Sequence, residues 1–145
     1  MNQSQAAKIV LADTFKFYLM THGMHWNVEG MFFASLHELF GNIYEEVFGS
    51  VDVIAEHIRA MDQYAPYTLT RIQELSRVRD YTGEPDARKF LEHLLKETGT
   101  VLESIYQAKQ AAVNEGNEGF ANYLDERQAA FKKHAWMLRA SVKNI

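Results

Sequence analysis

The stretch Ser35–Met61, SLHELFGNIYEEVFGSVDVIAEHIRAM, decides the fold. Its apolar residues recur at alternating steps of three and four, which is the spacing of a helix face that packs on a core. They are Leu36, Phe40, Ile43, Val47, Val51, Ile54, Ile58 and Met61. Ser35 and Glu38 stand at the spacing of a capping box, which places the start of the helix near Ser35. The stretch therefore predicts one long helix with a single buried face.

Three further long helices are predicted around this one. They run from about Ser4 to Trp26, from Asp86 to about Asn114, and from about Phe120 to Val142. The only two prolines of the chain fall between the predicted helices, where they interrupt none of them. The connection Tyr64–Gly83 is too long for a tight turn, and its spaced apolar residues predict a short extra helix. We therefore predict an all-α four-helix bundle with a short extra helix between the second and third long helices.

Composition limits the class of protein. A chain of 145 residues with 47% hydrophobic content suits one buried core, so residues 1–145 are expected to form a single domain. There is no cysteine, which excludes disulfides and thiolate metal sites. The N-terminal sequence MNQSQAAKIV does not have the pattern of a signal peptide, and no apolar run approaches the roughly 20 residues that span a bilayer. We therefore expect a soluble, cytoplasmic protein without a membrane partner.

The net charge argues against nucleic acid as the main partner. The charge is −4 and the isoelectric point is near 5.8, so the chain has no general attraction for phosphate. The basic residues near the end of the chain fit the solvated face of an amphipathic helix: Lys132, Lys133, Arg139 and Lys143. DNA binding is therefore expected to be weak or absent.

The second predicted helix also carries a polar stripe beside its apolar face. His37, Gly41, Glu45, Asp52 and Glu56 fall within an arc of roughly 100° at about 100° per residue. Along the axis, however, fifteen residues separate His37 from Asp52, which is roughly 22 Å. Metal ligands lie about 2 Å from their ion, so one chain cannot close a site from both groups.

Two copies of the chain remove this obstacle. If the helix packs antiparallel against its own copy about a two-fold axis, residues face each other wherever their numbers have the same sum. His37 with Glu56, and position 41 with Asp52, share one sum. His25 lies at the other end of the turn that precedes the helix, and it can join His37 from the same chain. The spacing therefore predicts a metal site between subunits of a homo-oligomer.

The predicted ligand set has two imidazoles and two carboxylates. This set suits Fe(II), with Zn or Mn as competitors. The Glu-x-x-His motif of ordinary di-iron bundles does not occur in the chain. Any iron site is therefore expected at the interface and not inside one bundle.

Three segments resemble one known family, the Dps miniferritins. They are HWNVEGMFFASLHELF (His25–Phe40), DVIAEHIR (Asp52–Arg59) and HAWMLR (His134–Arg139). The resemblance implies that the predicted four-helix bundle is ferritin-like. It also implies a dodecameric shell that binds Fe(II) at two-fold interfaces and oxidises it preferentially with hydrogen peroxide. It also implies storage of ferric mineral inside the shell and protection against oxidative damage. The implied activity is that of a ferroxidase.

By the same resemblance, His25 and His37 are ligands from one subunit, and Asp52 and Glu56 are ligands from its neighbour. The family pattern has a carboxylate one turn after the second histidine, where this chain has Gly41. Glu45, one turn further, is a candidate replacement. The alternative is a Dps-like cage with impaired ferroxidase chemistry that mainly binds metal or protects DNA.

Two further expectations concern residues outside this site. Family members that bind DNA commonly use a lysine-rich N-terminal extension, whereas here Lys8 is the only lysine before position 16. The other four histidines are interpreted as structural: His22, His57, His93 and His134.

Overall fold

The computed structural model describes residues Met1 to Ile145, which form five helices and no strand. The helices are α1 (Gln3–Asn27), α2 (Phe33–Ala60), α3 (Leu69–Leu75), α4 (Ala87–Asn114) and α5 (Glu118–Val142). Four of them are long, and α3 is the short helix in the connection between α2 and α4. The predicted all-α bundle with one short extra helix is confirmed.

Two helical hairpins make up the bundle. α1 packs against α2 and α4, and α4 packs against α5. At one end, the Asn117 side-chain amide donates to the Gln3 side chain, and the rings of His57 and Phe120 lie 5.1 Å apart. The start of α1, the end of α2 and the start of α5 therefore meet there. Since α4 also ends there, α2 and α4 run parallel and are joined by the long connection.

Aromatic and branched side chains fill the space between the helices. Phe17 of α1 and Phe131 of α5 are fully buried and meet edge to face, with ring centroids 5.2 Å apart. The predicted apolar face of α2 is inside the bundle, since six of its residues are buried: Leu36, Phe40, Ile43, Val47, Ile54 and Ile58. The polar stripe beside this face is left outside the core.

The predicted helix starts have mixed outcomes. Asp86, where the third long helix was predicted to begin, is the N-cap of α4, because its side chain accepts from the Lys89 amide. The capping box at Ser35 is wrong: α2 begins at Phe33, and Ser35 donates to the Phe32 carbonyl from within the first turn. A capping box does occur at α1, where Asn2 pairs with Gln5.

The turn between α1 and α2 sets the distance between the two predicted histidine ligands. Gly30 has a φ of 105°, a conformation that side chains disfavour, and the Phe33 amide donates to its carbonyl. Val28 is buried and anchors the turn to the core. His25, in the last turn of α1, is thereby brought beside His37, in the first turns of α2.

None of the five helices has the length and apolar character needed to cross a bilayer.

Candidate metal centre

His25 and His37 are held together by reciprocal hydrogen bonds. The Nδ1 of His25 lies 2.6 Å from the carbonyl oxygen of His37, and the Nδ1 of His37 lies 2.7 Å from the carbonyl oxygen of His25. Their rings stack with centroids 3.7 Å apart at an interplanar angle of 15°. The structure therefore brings together the two histidines that the sequence predicts as partners.

These hydrogen bonds fix the tautomer of both rings. A carbonyl oxygen can only accept, so each Nδ1 must carry the proton and donate it. In the neutral ring the lone pair then lies on Nε2, and no protein group bonds to either Nε2. A backbone carbonyl on one ring nitrogen is the usual support of a histidine that binds metal through the other. Each ring therefore has an Nε2 lone pair that could bind a metal ion.

Gly41 lies directly against the His25 ring. A Cβ added at Gly41 would come within 3.2 Å of both the Cε1 and the Nδ1 of His25. Such contacts are tighter than normal van der Waals packing, so a side chain here would displace the imidazole by a few tenths of an ångström. The glycine thus has a packing role that the sequence alone did not reveal. It provides the space in which His25 reaches the His37 carbonyl.

The three predicted carboxylate ligands lie elsewhere on α2. Glu45, Asp52 and Glu56 are exposed, and none of them makes a salt bridge or side-chain hydrogen bond within the chain. Within one chain, no group of three or more His, Asp and Glu side chains is arranged to hold a metal ion. Within one chain, the histidine pair and these three carboxylates are therefore separate.

An aromatic cluster borders the histidine pair, and its central residue is His22. The His22 ring stacks on Tyr44 with centroids 3.8 Å apart at 10°, and its Nδ1 lies 3.0 Å from the Tyr18 hydroxyl. Trp26 covers its other side at 4.3 Å, and the His25 ring lies 6.1 Å away. Burial and the neighbouring His25 lower the pKa of His22, which favours the neutral ring. The spacing from His22 to His25, one turn on α1, is the sequence signal that could have placed His22 here.

A second polar cluster joins α2 to α5. Glu46 accepts from both terminal nitrogens of Arg127, at 2.5 and 3.1 Å, and pairs with the Nε2 of His134 at 2.7 Å. Arg127 and His134 are almost fully buried, whereas the Glu46 side chain is 40% exposed. Burial alone would raise the pKa of Glu46, but the hydrogen bonds from His134 and Arg127 outweigh it and lower the pKa to about 2. The cluster forms an ion-paired contact between the two hairpins.

The Glu46 contact predicts that the wild type and Glu46→Gln differ in stability by an amount that depends on pH. A carboxyl with a depressed folded-state pKa stabilises the fold above its ordinary pKa of 4.5, and this contribution is lost as the pH falls towards 2. Glu46→Gln should lower the free energy of unfolding at pH 7 by about 2 kcal/mol, a figure reduced for the partial exposure of Glu46. Urea denaturation of both proteins should show the difference shrinking below pH 4.5. A difference that stays constant from pH 7 to pH 3 would contradict this assignment.

The comparisons with known proteins agree with this architecture. A family model for the ferritin-like domain matches residues 6–145. The DNA protection during starvation protein 2 of Bacillus anthracis is 30% identical over 130 residues, which cover 90% of this chain and 89% of that protein.

Solved structures give the same result. The crystal structure of a Dps protein from Bacillus brevis is 27% identical, with a TM-score of 0.92 over 97% of this chain and 95% of that one. A Dps protein from Vibrio cholerae, described as a member of a broad superfamily of ferritin-like diiron-carboxylate proteins, is 26% identical. Its TM-score is 0.92 over 97% of this chain and 89% of that one. On the family match, the Bacillus anthracis relative and these folds, the chain belongs to the Dps family of ferritin-like proteins.

Proposed function

We propose that the protein is an iron-storage and detoxification miniferritin that binds and oxidises Fe(II) between pairs of subunits. The observation that carries the proposal is the reciprocal bonding of His25 and His37, which leaves both Nε2 atoms without a protein partner. Two such nitrogens are half of a metal site and need acidic partners to complete it. Family membership supports iron as the metal, because a Dps relative is described among diiron-carboxylate proteins.

The second half of the site is proposed to come from the neighbouring subunit. An antiparallel α2 pair about a two-fold axis sets His37 opposite Glu56 of the partner subunit and Gly41 opposite Asp52 of the partner subunit. Two observations support this packing. The exposed side of α2 carries large apolar side chains such as Phe48, which is 52% exposed in a single chain. Its carboxylates also lack any partner within the chain, so a cation at the interface would compensate them.

The residues of this site would have different roles in the oxidation of Fe(II). The imidazoles of His25 and His37 supply neutral nitrogen donors, and Asp52 and Glu56 of the partner subunit supply negative charge. Negative charge favours Fe(III) over Fe(II), because attraction grows with the charge of the ion. One hydrogen peroxide takes one electron from each of two Fe(II) ions and, with two protons, leaves as two water molecules. The ferric product would then be stored as mineral inside the shell, and removal of peroxide together with Fe(II) protects the cell from oxidative damage.

A second candidate function follows from Gly41. The site lacks one carboxylate of the family pattern, which removes negative charge from the place where Fe(III) forms. The alternative is therefore a cage that binds divalent metal, with Zn as a competitor of Fe, but oxidises iron slowly. Peroxide-dependent Fe(II) oxidation, followed by ferric absorbance, separates the two. Turnover of many Fe(II) ions per subunit supports the ferroxidase, whereas tight binding with a negligible oxidation rate supports the alternative.

The assembly itself gives a direct prediction. We expect a closed dodecamer: the proposed site requires at least a two-fold dimer, and the resemblance to Dps proteins supports a shell of twelve subunits. Light scattering at micromolar protein should give about twelve times the chain mass of 16.7 kDa. A monomer at this concentration would contradict the proposed interface. A lone dimer would contradict the shell and leave the interface intact.

DNA binding is expected to be weak or absent near neutral pH. The chain has a net charge of −4, and Lys8 lies within α1 and not on a flexible tail. Few phosphate contacts release few counterions, so little affinity is gained even at low salt. A gel-shift titration of plasmid at about 50 mM salt tests this under permissive conditions. Retardation by stoichiometric protein would show that basic patches on the assembly, such as Lys132 and Lys133, outweigh the net charge.

A further inference from the structure

Three of the six histidines share one pattern of hydrogen bonding. In His22, His25 and His37 the Nδ1 is bonded to a protein oxygen and the Nε2 has no protein partner. The other histidines differ. His93 and His134 use their Nε2 for bonds to the Arg79 carbonyl and to Glu46, and His57 makes no side-chain hydrogen bond and stacks on Tyr123. The pattern of a supported imidazole with a free Nε2 is thus confined to one cluster.

His22 is fixed within this cluster by packing as well. Its ring lies parallel to Tyr44, which is one turn after Gly41 on α2, and Trp26 covers the ring from another side. Its centroid is 6.1 Å from that of His25. The third free Nε2 is therefore held on a rigid ring, next to the histidine pair and near the place on α2 where Gly41 supplies no ligand.

We propose that His22 is a further metal ligand, whose Nε2 binds a second divalent ion beside the ion held by His25 and His37. This inference rests on the proposed function, since it adds to the same interface. A second ion is required because His22, His25 and His37 are not grouped closely enough to bind one ion together. Ring centroids 6.1 Å apart are compatible with two neighbouring ions, given metal–nitrogen distances of about 2 Å and the about 4 Å spacing of two-metal sites. Binding selects the tautomer in which the Nδ1–H of His22 donates to the Tyr18 hydroxyl oxygen.

If His22 is a ligand, the site does not need a ligand at position 41, where the chain has Gly41. The His25 ring occupies the space next to the Gly41 Cα, so an added side chain there would push against a ligand. A nitrogen donor from α1 supplies a ligand without this contact. The proposed interface is accordingly richer in nitrogen and poorer in charge than a site with a carboxylate at position 41. Imidazole-rich sites suit Zn(II) and Co(II) as well as Fe(II).

The test is Zn(II) binding to the assembled, metal-free protein, measured by equilibrium dialysis with metal analysis and by calorimetric titration. His22→Phe keeps an aromatic ring against Tyr44 and removes the donor atom. It should bind one Zn(II) fewer per subunit, or bind the second ion at least about tenfold more weakly. His93→Phe, the matched control on α4, should bind like the wild type. His22→Gln gives a second variant if the phenylalanine protein fails to assemble, as judged by light scattering.

Two further variants separate the possible failures. Tyr18→Phe removes only the hydroxyl bonded to His22, and it should weaken the second ion about tenfold while leaving the first unchanged. If Glu45→Gln, and not His22→Phe, loses the second ion, then Glu45 is the additional ligand and the inference about His22 is wrong. Unchanged binding in His22→Phe with loss of Zn(II) in His37→Ala would overturn this inference alone. Unchanged binding in both would overturn the proposed interface site as well.

Discussion

His37→Ala should weaken metal binding to the assembled protein by on the order of 100-fold or more, since even partners of metal ligands contribute 10–100-fold. The substitution removes the Nε2 of one proposed ligand. It also removes the Nδ1–H bond to the His25 carbonyl and the ring that stacks on His25 at 3.7 Å. His25 therefore loses its alignment as well as its partner ligand. Peroxide-dependent oxidation of Fe(II), followed by ferric absorbance, should fall in parallel.

The same variant should leave the fold and assembly intact. His37 is only half-buried and is not part of the hydrophobic core. His93→Ala is the matched control, because it removes a histidine of similar exposure that bonds a backbone carbonyl on α4. Normal metal affinity in His37→Ala would show that the histidine pair is only a structural clasp. An equal loss in both variants would point to a general effect on stability.

Asp13→Ala should lower the free energy of unfolding by about 3 kcal/mol or more, because two buried donors, the Val78 amide and the Ser104 hydroxyl, lose a charged acceptor. Asp13 is fully buried, and its carboxylate accepts from the Ser76 hydroxyl at 2.8 Å and from the Arg77 amide at 2.6 Å. It also accepts from the Ser104 hydroxyl and, at 3.3 Å, from the Val78 amide. Asp13 of α1 thus links the segment that directly follows α3 to α4.

Asp80→Ala is the control for this prediction. Asp80 also joins α1 to the connection, through Lys16 at 3.3 Å, but it is 68% exposed. Asp80 is solvated, and without it the largely buried Lys16 keeps its hydrogen bond to the Val78 carbonyl. The substitution should therefore change stability by about 1 kcal/mol or less. Thermal unfolding of both variants at one protein concentration makes the comparison, since assembly makes the midpoint depend on concentration. Similar midpoints for the two variants would show that the Asp13 network contributes little.

The periodicity of α2 made most of the fold predictable. A stripe of apolar residues at steps of three and four has one physical outcome in a chain of this size, which is burial of that face against other helices. The residue at which α2 begins was harder to predict from the sequence. Gly30 and the Phe33 amide close the turn through backbone geometry, so the helix begins two residues before Ser35, at a point without a side-chain cap.

The histidine pair was predictable only in part. The spacing of His25 and His37 around a turn predicted their approach, but not the exchange of bonds with each other's carbonyls that fixes both tautomers. Gly41 looked like a missing ligand, whereas its backbone is the surface on which the His25 ring lies. His22 was interpreted as structural. Its spacing from His25 could have placed it beside the pair, but its stacking on Tyr44 of another helix leaves no mark in the local sequence.

Anomalous diffraction from crystals soaked with Fe(II) under anaerobic conditions tests the central claim most directly. We expect an iron peak at each two-fold interface, bonded to the Nε2 atoms of His25 and His37 and to Asp52 and Glu56 of the partner subunit. Iron bound elsewhere, for example at the Glu46–His134 cluster between α2 and α5, with no peak near the histidine pair, would contradict the account.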